Sequence, residues 1–124
     1  MTKKTVLVVE DHVPTREAYA TFLVECGYRV LEASHGGEAI LQVHRHHPDL
    51  VLMDIALPVL DGVETAESLR AHASGTTLRI LGVTACESAV KRKRMEEVCD
   101  ELLLKPCAPD LVADRIRSLI GVAA

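Results

Sequence analysis

Residues 50–54 read LVLMD, so four apolar residues lead directly into Asp54. This pattern predicts a buried strand that ends in a carboxylate. Because an unpaired buried charge costs several kcal/mol, the acid needs a partner. Residues 5–11 read TVLVVED, and there a second apolar strand runs into Glu10 and Asp11. Two apolar strands that end in three acids indicate an acidic pocket suited to a cation.

The composition indicates one soluble globular domain. The chain has 124 residues, of which 48% are hydrophobic and 26% charged, and its formal net charge is −4. We therefore expect no direct nucleic-acid partner, since the chain lacks a basic footprint. No apolar run is long enough for a membrane span and the start is not a signal sequence, so we expect a cytoplasmic protein. Without Cys-x-x-Cys spacing, the cysteines are predicted to be small buried hydrophobes: Cys26, Cys86, Cys99 and Cys107.

Strand and helix patterns alternate along the whole chain. Predicted strands cover residues 5–9, 28–31, 49–53, 78–83 and 101–104, and predicted helices cover 14–26, 37–46, 62–73, 87–98 and 109–120. In the first helix, Ala18, Phe22 and Cys26 are expected on one stripe. This alternation predicts an α/β fold, a doubly wound five-stranded parallel sheet with five helices and strand order 2-1-3-4-5. We expect one domain over 1–124 and no output domain.

The predicted topology brings the three acids together. In such a sheet the ligand site lies beyond the carboxyl ends of the strands where the order reverses, here between strands 1 and 3. Glu10 and Asp11 end the first of these strands, and Asp54 ends the other. Like charges this close repel, and a divalent cation relieves the repulsion. Oxygen-only ligands favour Mg²⁺.

Two further strand ends carry polar groups. The fourth strand leads into Thr84, and the fifth leads into Lys105 and Pro106. A metal pocket with a hydroxyl and an ammonium group is suited to phosphoryl transfer, because both groups stabilise developing charge on phosphoryl oxygens. Asp54 can attack phosphorus and form an acyl phosphate.

These residues resemble the receiver domain of bacterial response regulators. The matching set is Glu10-Asp11, Asp54 with Pro58 and Asp61-Gly62 after it, Thr84-Ala85 and Lys105-Pro106. The resemblance covers the whole chain and implies a flavodoxin-like fold with Asp54 as the phosphoacceptor. The donor would be a phosphohistidine on a sensor histidine kinase or a histidine phosphotransfer protein.

The resemblance also implies a role for each site residue. Mg²⁺ would be held by Asp11, Asp54 and the backbone carbonyl of Ala56, with Glu10 reaching it through water. Thr84 and Lys105 would bind phosphoryl oxygens. The Lys105–Pro106 peptide bond is expected to be cis. The signal would pass to an effector protein through the fourth helix, fifth strand and fifth helix.

Two positions depart from the family pattern. Leu102 stands where the family usually has an aromatic residue that turns inward on activation, and Cys107 stands where Phe commonly follows Lys-Pro. The usual relay from threonine to an aromatic side chain therefore cannot operate. Any switch must run through Thr84, the loop after it and the 87–98 helix.

Several alternatives stand beside this interpretation. A phosphatase of the haloacid-dehalogenase type wants a second acid two residues after the nucleophile, where this chain has Ala56. A flavodoxin-like cofactor binder would place an anion beside Glu10 and Asp11, which repel it. A receiver-like scaffold that takes no phosphate generally lacks one of the acids or the lysine.

Two charged or polar stretches are weaker candidates for functional sites. The run Lys91-Arg92-Lys93-Arg94 is either a solvated helix face or a docking site for an acidic partner. The histidines near the end of the second helix are interpreted as solvated polar groups and not as a metal site, because no paired ligand set is visible: His44, His46 and His47.

Overall fold

Five parallel strands alternate with five helices, as the sequence predicts. The structure, a computed structural model, describes residues 3–55, 62–72, 78–85 and 89–123, without the side chains of His72 and Lys91. In chain order the elements are β1 Thr5–Val9, α1 Val13–Glu25, β2 Arg29–Ala33, α2 Gly36–His46, β3 Leu50–Asp54, α3 Gly62–His72, β4 Arg79–Thr84, α4 Ala89–Val98, β5 Glu101–Leu104 and α5 Pro109–Ile120.

The strand order is β2-β1-β3-β4-β5, which confirms the predicted doubly wound, flavodoxin-like topology. Every neighbouring pair is parallel. The central strands β1 and β3 are buried on both faces, which explains why their sequences are apolar without interruption. β2 and β5 are the edge strands and are less buried.

Each face of the sheet packs against its own set of helices. Along β1, Leu7 and Val9 pack with residues of α2, α3 and α4, whereas Val6 and Val8 pack with residues of α1 and α5. This alternation is the two-residue period of a strand, and it divides the core into two layers. Within the part of the chain that is described, none of the helices combines the length and the apolar composition needed to cross a membrane.

Besides shifts of one residue at the ends of several elements, two features of the first half differ from the sequence expectation. β2 extends to Ala33, two residues further than predicted, because Glu32 pairs with Val8 in the ladder although its side chain breaks the apolar pattern. The buried residues of α1 are Tyr19, Ala20 and Leu23. Of the predicted stripe, Phe22 packs against the core, whereas Ala18 and Cys26 are exposed, because the apolar residues of α1 are spread around the helix and its spacing alone selects no face.

The cysteine prediction holds only in part. Cys99 is buried, as expected, but Cys26 is exposed and Cys107 is half-buried. Cys26 directly follows the last residue of α1, where the helix ends at the surface. Cys86 lies outside the described residues.

Candidate acidic phosphoacceptor site

The three acids of the sequence analysis lie together at the carboxyl edge of the sheet. β1 pairs with β3 through Val9 and Met53, so the residues that follow them, Glu10 just after β1 and Asp54 at the end of β3, lie side by side. One carboxylate oxygen from each of Glu10, Asp11 and Asp54 can be chosen so that all lie within 4.8 Å of one another. The topology therefore produces the cluster that the sequence predicted.

Burial is graded across the cluster. Glu10 is only 3% exposed, Asp54 is half-buried and Asp11 is exposed. Burial raises the pKa of Glu10 above its ordinary value, and the neighbouring Asp11 and Asp54 raise it further, while Lys105 and the backbone N–H of His12 act in the opposite direction. The pocket thus has a low-dielectric floor and an open side that solvent can reach.

Lys105 provides the positive charge of the pocket. Its Nζ donates to Asp54 Oδ2 at 2.9 Å and lies 3.4 Å from Glu10 Oε1. Burial alone would lower the pKa of Lys105, but the hydrogen bond and charge of Asp54, together with Glu10, raise it above its ordinary value. Lys105 is therefore a cation at neutral pH, and it balances part of the acidic charge.

The backbone around Lys105 keeps its ammonium group close to Asp54 and Glu10. Its N–H donates to the carbonyl of Thr84 at 2.8 Å, which extends the β4–β5 ladder by one residue. The Lys105–Pro106 peptide bond is cis, which confirms that prediction.

Thr84 lies between the acid and the lysine in the order of the strands. β4 separates β3 from β5, and its last residue, Thr84, pairs with Leu104, the residue before Lys105. Thr84 is fully buried. Its hydroxyl is therefore shielded from bulk water.

Ala56, Pro58 and Asp61 lie outside the described residues, so the predicted metal contact of the Ala56 carbonyl stays a prediction. Gly62, which opens α3, donates its N–H to the carbonyl of Ile55 at 3.0 Å. A Cβ at Gly62 would lie 2.1 Å from that carbonyl oxygen, so the close approach requires glycine.

A family model described as the response regulator receiver domain matches residues 6–117. The chain belongs to that family. The chain is therefore a receiver domain of two-component signalling. Membership of this family accounts for the acidic cluster at the edge of the sheet.

This receiver domain resembles relatives of different lengths. It is 34% identical to the probable transcriptional regulator ycf27 of Cyanophora paradoxa over 119 residues, which cover 95% of this chain and 48% of that protein. It thus spans about half the length of such relatives. It is 29% identical to the polar-differentiation response regulator DivK of Brucella ovis, over 97% of this chain and 98% of that protein.

Solved receiver structures superpose closely on this one. The receiver domain of sensor histidine kinase PA1611 from Pseudomonas aeruginosa PAO1, described with a magnesium ion coordinated in its active site cleft, has a TM-score of 0.86 and 28% identity over 97% of this chain and 99% of that one. The chemotaxis protein CheY4 of Vibrio cholerae has a TM-score of 0.85 and 26% identity over 95% and 99% of the two chains.

The two positions that depart from the family pattern have defined surroundings. Leu102 is partly buried and packs against the core layer of α2, α3 and α4. Cys107 Sγ lies 3.7 Å from the hydroxyl of Tyr19, and both belong to the layer of α1 and α5. An aromatic side chain from α1 therefore fills space beside the residue that replaces the usual phenylalanine.

Sequence reasoning missed one contact of the receiver site. Arg16, on α1, donates from Nη1 to the backbone carbonyl of Glu10 at 3.0 Å and from Nε to Glu32 Oε1 at 3.2 Å. No sequence motif points to this arrangement, because it joins a helix to the ends of two strands through a backbone atom.

Proposed function

We propose that this receiver domain accepts a phosphoryl group on Asp54 and signals through protein–protein contact. The observation that carries the proposal is the position of Lys105. Its ammonium lies 2.9 Å from Asp54 and 3.4 Å from Glu10, in a cluster where three carboxylates approach within 4.8 Å. An acid held against a cation at the rim of a parallel sheet is suited to take on the additional charge of a phosphoryl group.

The reaction follows from the chemistry of a carboxylate nucleophile. An oxygen of Asp54 attacks phosphorus of a phosphohistidine, the phosphorus–nitrogen bond breaks and the imidazole leaves with its electron pair. The product is an acyl phosphate on Asp54. The chain would thus catalyse only its own phosphorylation and dephosphorylation, and would not turn over a separate substrate.

The donor set fits Mg²⁺. Glu10, Asp11 and Asp54 offer oxygen atoms only, and Mg²⁺ prefers one or two carboxylates together with several waters. Asp11 and Asp54 would bind it directly with the carbonyl of Ala56, and the buried Glu10 would bind through water. When bound, the ion would neutralise charge on the phosphoryl oxygens. The magnesium described in the related PA1611 receiver domain supports this assignment.

Lys105 and Thr84 would bind the phosphoryl oxygens. The lysine already contacts Asp54, so its ammonium needs only to exchange one carboxylate oxygen for a phosphoryl oxygen. Thr84 ends the strand between β3 and β5, where its hydroxyl can donate to the same group. Both residues would stabilise charge that develops during transfer.

The partners follow from the family and stay proposals. A sensor histidine kinase or a histidine phosphotransfer protein would supply the phosphoryl group, and an effector protein would bind the face of α4, β5 and α5. Exposed apolar side chains on this face support the second assignment, since Val90 is 79% and Leu104 49% exposed. The cytoplasmic location stays a prediction.

Intact mass spectrometry tests the phosphoacceptor role. The protein is incubated with Mg²⁺ and a small phosphodonor such as acetyl phosphate, and the stable gain of one phosphoryl group is expected. Asp54→Asn should abolish this gain, whereas Asp114→Asn, a matched change on the exposed surface of α5, should leave it intact.

Other outcomes point to the alternative functions. Release of phosphate from many phosphodonor molecules without accumulation on the protein would favour a phosphatase. If neither mass nor phosphate release changes, the chain is a receiver-like scaffold. Phosphorylation that persists in Asp54→Asn would refute the assignment of Asp54.

A further inference from the structure

The peptide of Glu10 is fastened on both sides just beyond the end of β1. Its N–H donates to the carbonyl of Ala33 at 3.0 Å, and its carbonyl accepts from Arg16 Nη1 at 3.0 Å. The first bond continues the β1–β2 ladder. The second comes from a helix, so the segment that leads into Asp11 is held by two different elements.

Arg16 is itself held in one orientation. Its Nε donates to Glu32 Oε1 at 3.2 Å, while its backbone N–H donates to the carbonyl of His12 in the first turn of α1. The Arg16 side chain is only 17% exposed. A planar guanidinium can hold two acceptors in a fixed geometry, so Arg16 ties the start of α1 to the ends of β1 and β2.

Arg16 affects the acidic pocket through its hydrogen-bond geometry and not through its charge. The positive charge of Arg16 is paired with Glu32, which lies outside the acidic cluster. Besides burial, the side chains that shift the pKa of Glu10 are Asp11, through a hydrogen bond, and Asp54 and Lys105, through their charges. The contribution of Arg16 is therefore to fix the backbone of Glu10. Through that backbone it positions the carboxylates of Glu10 and Asp11.

We infer that Arg16 is a positioning residue for the metal site: it holds Glu10 and Asp11 in the arrangement that a divalent cation needs. This inference rests on the proposed binding of Mg²⁺ by the acidic cluster. Groups that orient metal ligands without touching the metal commonly change metal affinity by about 10- to 100-fold when they are removed. Arg16 acts on a backbone carbonyl, so we expect an effect near the lower limit.

Calorimetric titration with Mg²⁺ tests the inference. Arg16→Ala should raise the Mg²⁺ dissociation constant about tenfold. Arg16→Lys keeps the charge but cannot hold both acceptors, so it should raise the constant by a smaller factor and also serves if the alanine variant folds poorly. Glu32→Gln should act in the same direction as Arg16→Lys, because it loosens the guanidinium.

A second arginine–glutamate pair offers the matched control. Arg115 donates to both carboxylate oxygens of Glu101, at 2.6 and 2.8 Å, at the start of β5 and away from the acidic cluster. Arg115→Ala should leave the Mg²⁺ dissociation constant unchanged even if the thermal midpoint falls. A purely structural role for Arg16 predicts the same behaviour for both alanine variants, with lower midpoints and unchanged Mg²⁺ affinity.

The titration distinguishes two kinds of failure. If the parent protein binds Mg²⁺ and Arg16→Ala binds it equally well, the inference about Arg16 is overturned and the proposed metal site stands. If the parent protein itself binds no Mg²⁺, the metal site falls and the role of Arg16 falls with it.

Discussion

Replacing Glu10 with glutamine should stabilise the metal-free protein at neutral pH and reduce its response to Mg²⁺. Glu10 is 3% exposed and carries a charge beside two other acids. Glutamine has nearly the same shape and no charge. The variant therefore removes the repulsion between Glu10 and the neighbouring acids with little change in packing.

The magnitude follows from the distances in the pocket. At an effective dielectric constant of about 20, two unit charges roughly 5 Å apart interact by about 3 kcal/mol. Glu10 has two acidic neighbours within 4.8 Å, Asp11 and Asp54, and one cationic neighbour at 3.4 Å, Lys105. Two repulsions minus one stronger attraction leave a surplus of about 2 kcal/mol of repulsion. For a domain of this size that corresponds to an increase of about 6 °C in the thermal midpoint.

The effect has a defined dependence on pH. The pKa of Glu10 is raised in the folded protein, so the folded state holds its proton more tightly than the unfolded state. The contribution of Glu10 to stability is therefore fully present below the unfolded value of 4.5 and is lost as pH rises through the folded pKa. Glu10→Gln lacks this loss, so the two proteins should converge in stability at low pH and separate at neutral pH.

Thermal unfolding followed by circular dichroism, with and without millimolar Mg²⁺, measures both parts of the prediction. The parent protein should gain more in midpoint from Mg²⁺ than Glu10→Gln, since a ligand that binds only the folded state stabilises it by an amount that grows with the logarithm of its affinity. Glu17→Gln, on the exposed side of α1, is the matched control and should behave like the parent. A lower midpoint for Glu10→Gln at neutral pH without Mg²⁺ would refute the reasoning.

Three further changes test the fold around the site. Burial alone would raise the pKa of Asp100, but the hydrogen bond and charge of Arg70 hold it below its usual 3.8. Asp100→Asn should therefore lower the free energy of unfolding by about 2 kcal/mol at neutral pH, and by progressively less as pH falls below 3.8. Urea unfolding at a series of pH values measures this loss. Gly82→Ala would place a Cβ 2.8 Å from Cys99 Sγ, so it should lower the free energy of unfolding by about 1–3 kcal/mol. Adding Cys99→Ala should recover part of that loss. Full stability of the Gly82→Ala variant would contradict the packing. Tyr28→Phe removes a 2.8 Å hydrogen bond to the backbone carbonyl just after α5 and should cost about 1 kcal/mol in chemical denaturation, whereas an unchanged midpoint would show that the bond contributes nothing.

The course of the chain and the residues at the strand ends could be predicted from the sequence. The strand over 101–104 and the helix over 109–120 agree with the structure residue for residue, because a short leucine-rich run and a proline at the first helical turn are strong local signals. The acidic cluster was also predictable. Parallel strands that neighbour one another present their carboxyl ends at one edge, so an acid at each end must meet its counterpart.

Other features depended on packing that leaves no local signal. The first helix exposes apolar residues such as Val13 and Val24, at 46% and 57%, so its sequence could not show that Tyr19 and Leu23 form the buried face. Likewise, Arg16 reads as an ordinary helical arginine until the sheet places the Glu10 carbonyl 3.0 Å from it.

The sequence by itself determined which chemical groups stand at the strand ends and in what order the strands meet, since both follow from local apolar patterns and short right-handed connections. Only the tertiary structure decided how deeply each acid is buried, how close Lys105 comes to Asp54 and which side chain supports the Glu10 peptide. Those quantities depend on distances of a few ångströms between distant parts of the chain. They are set when both faces of the sheet pack together, and no stretch of sequence encodes them alone.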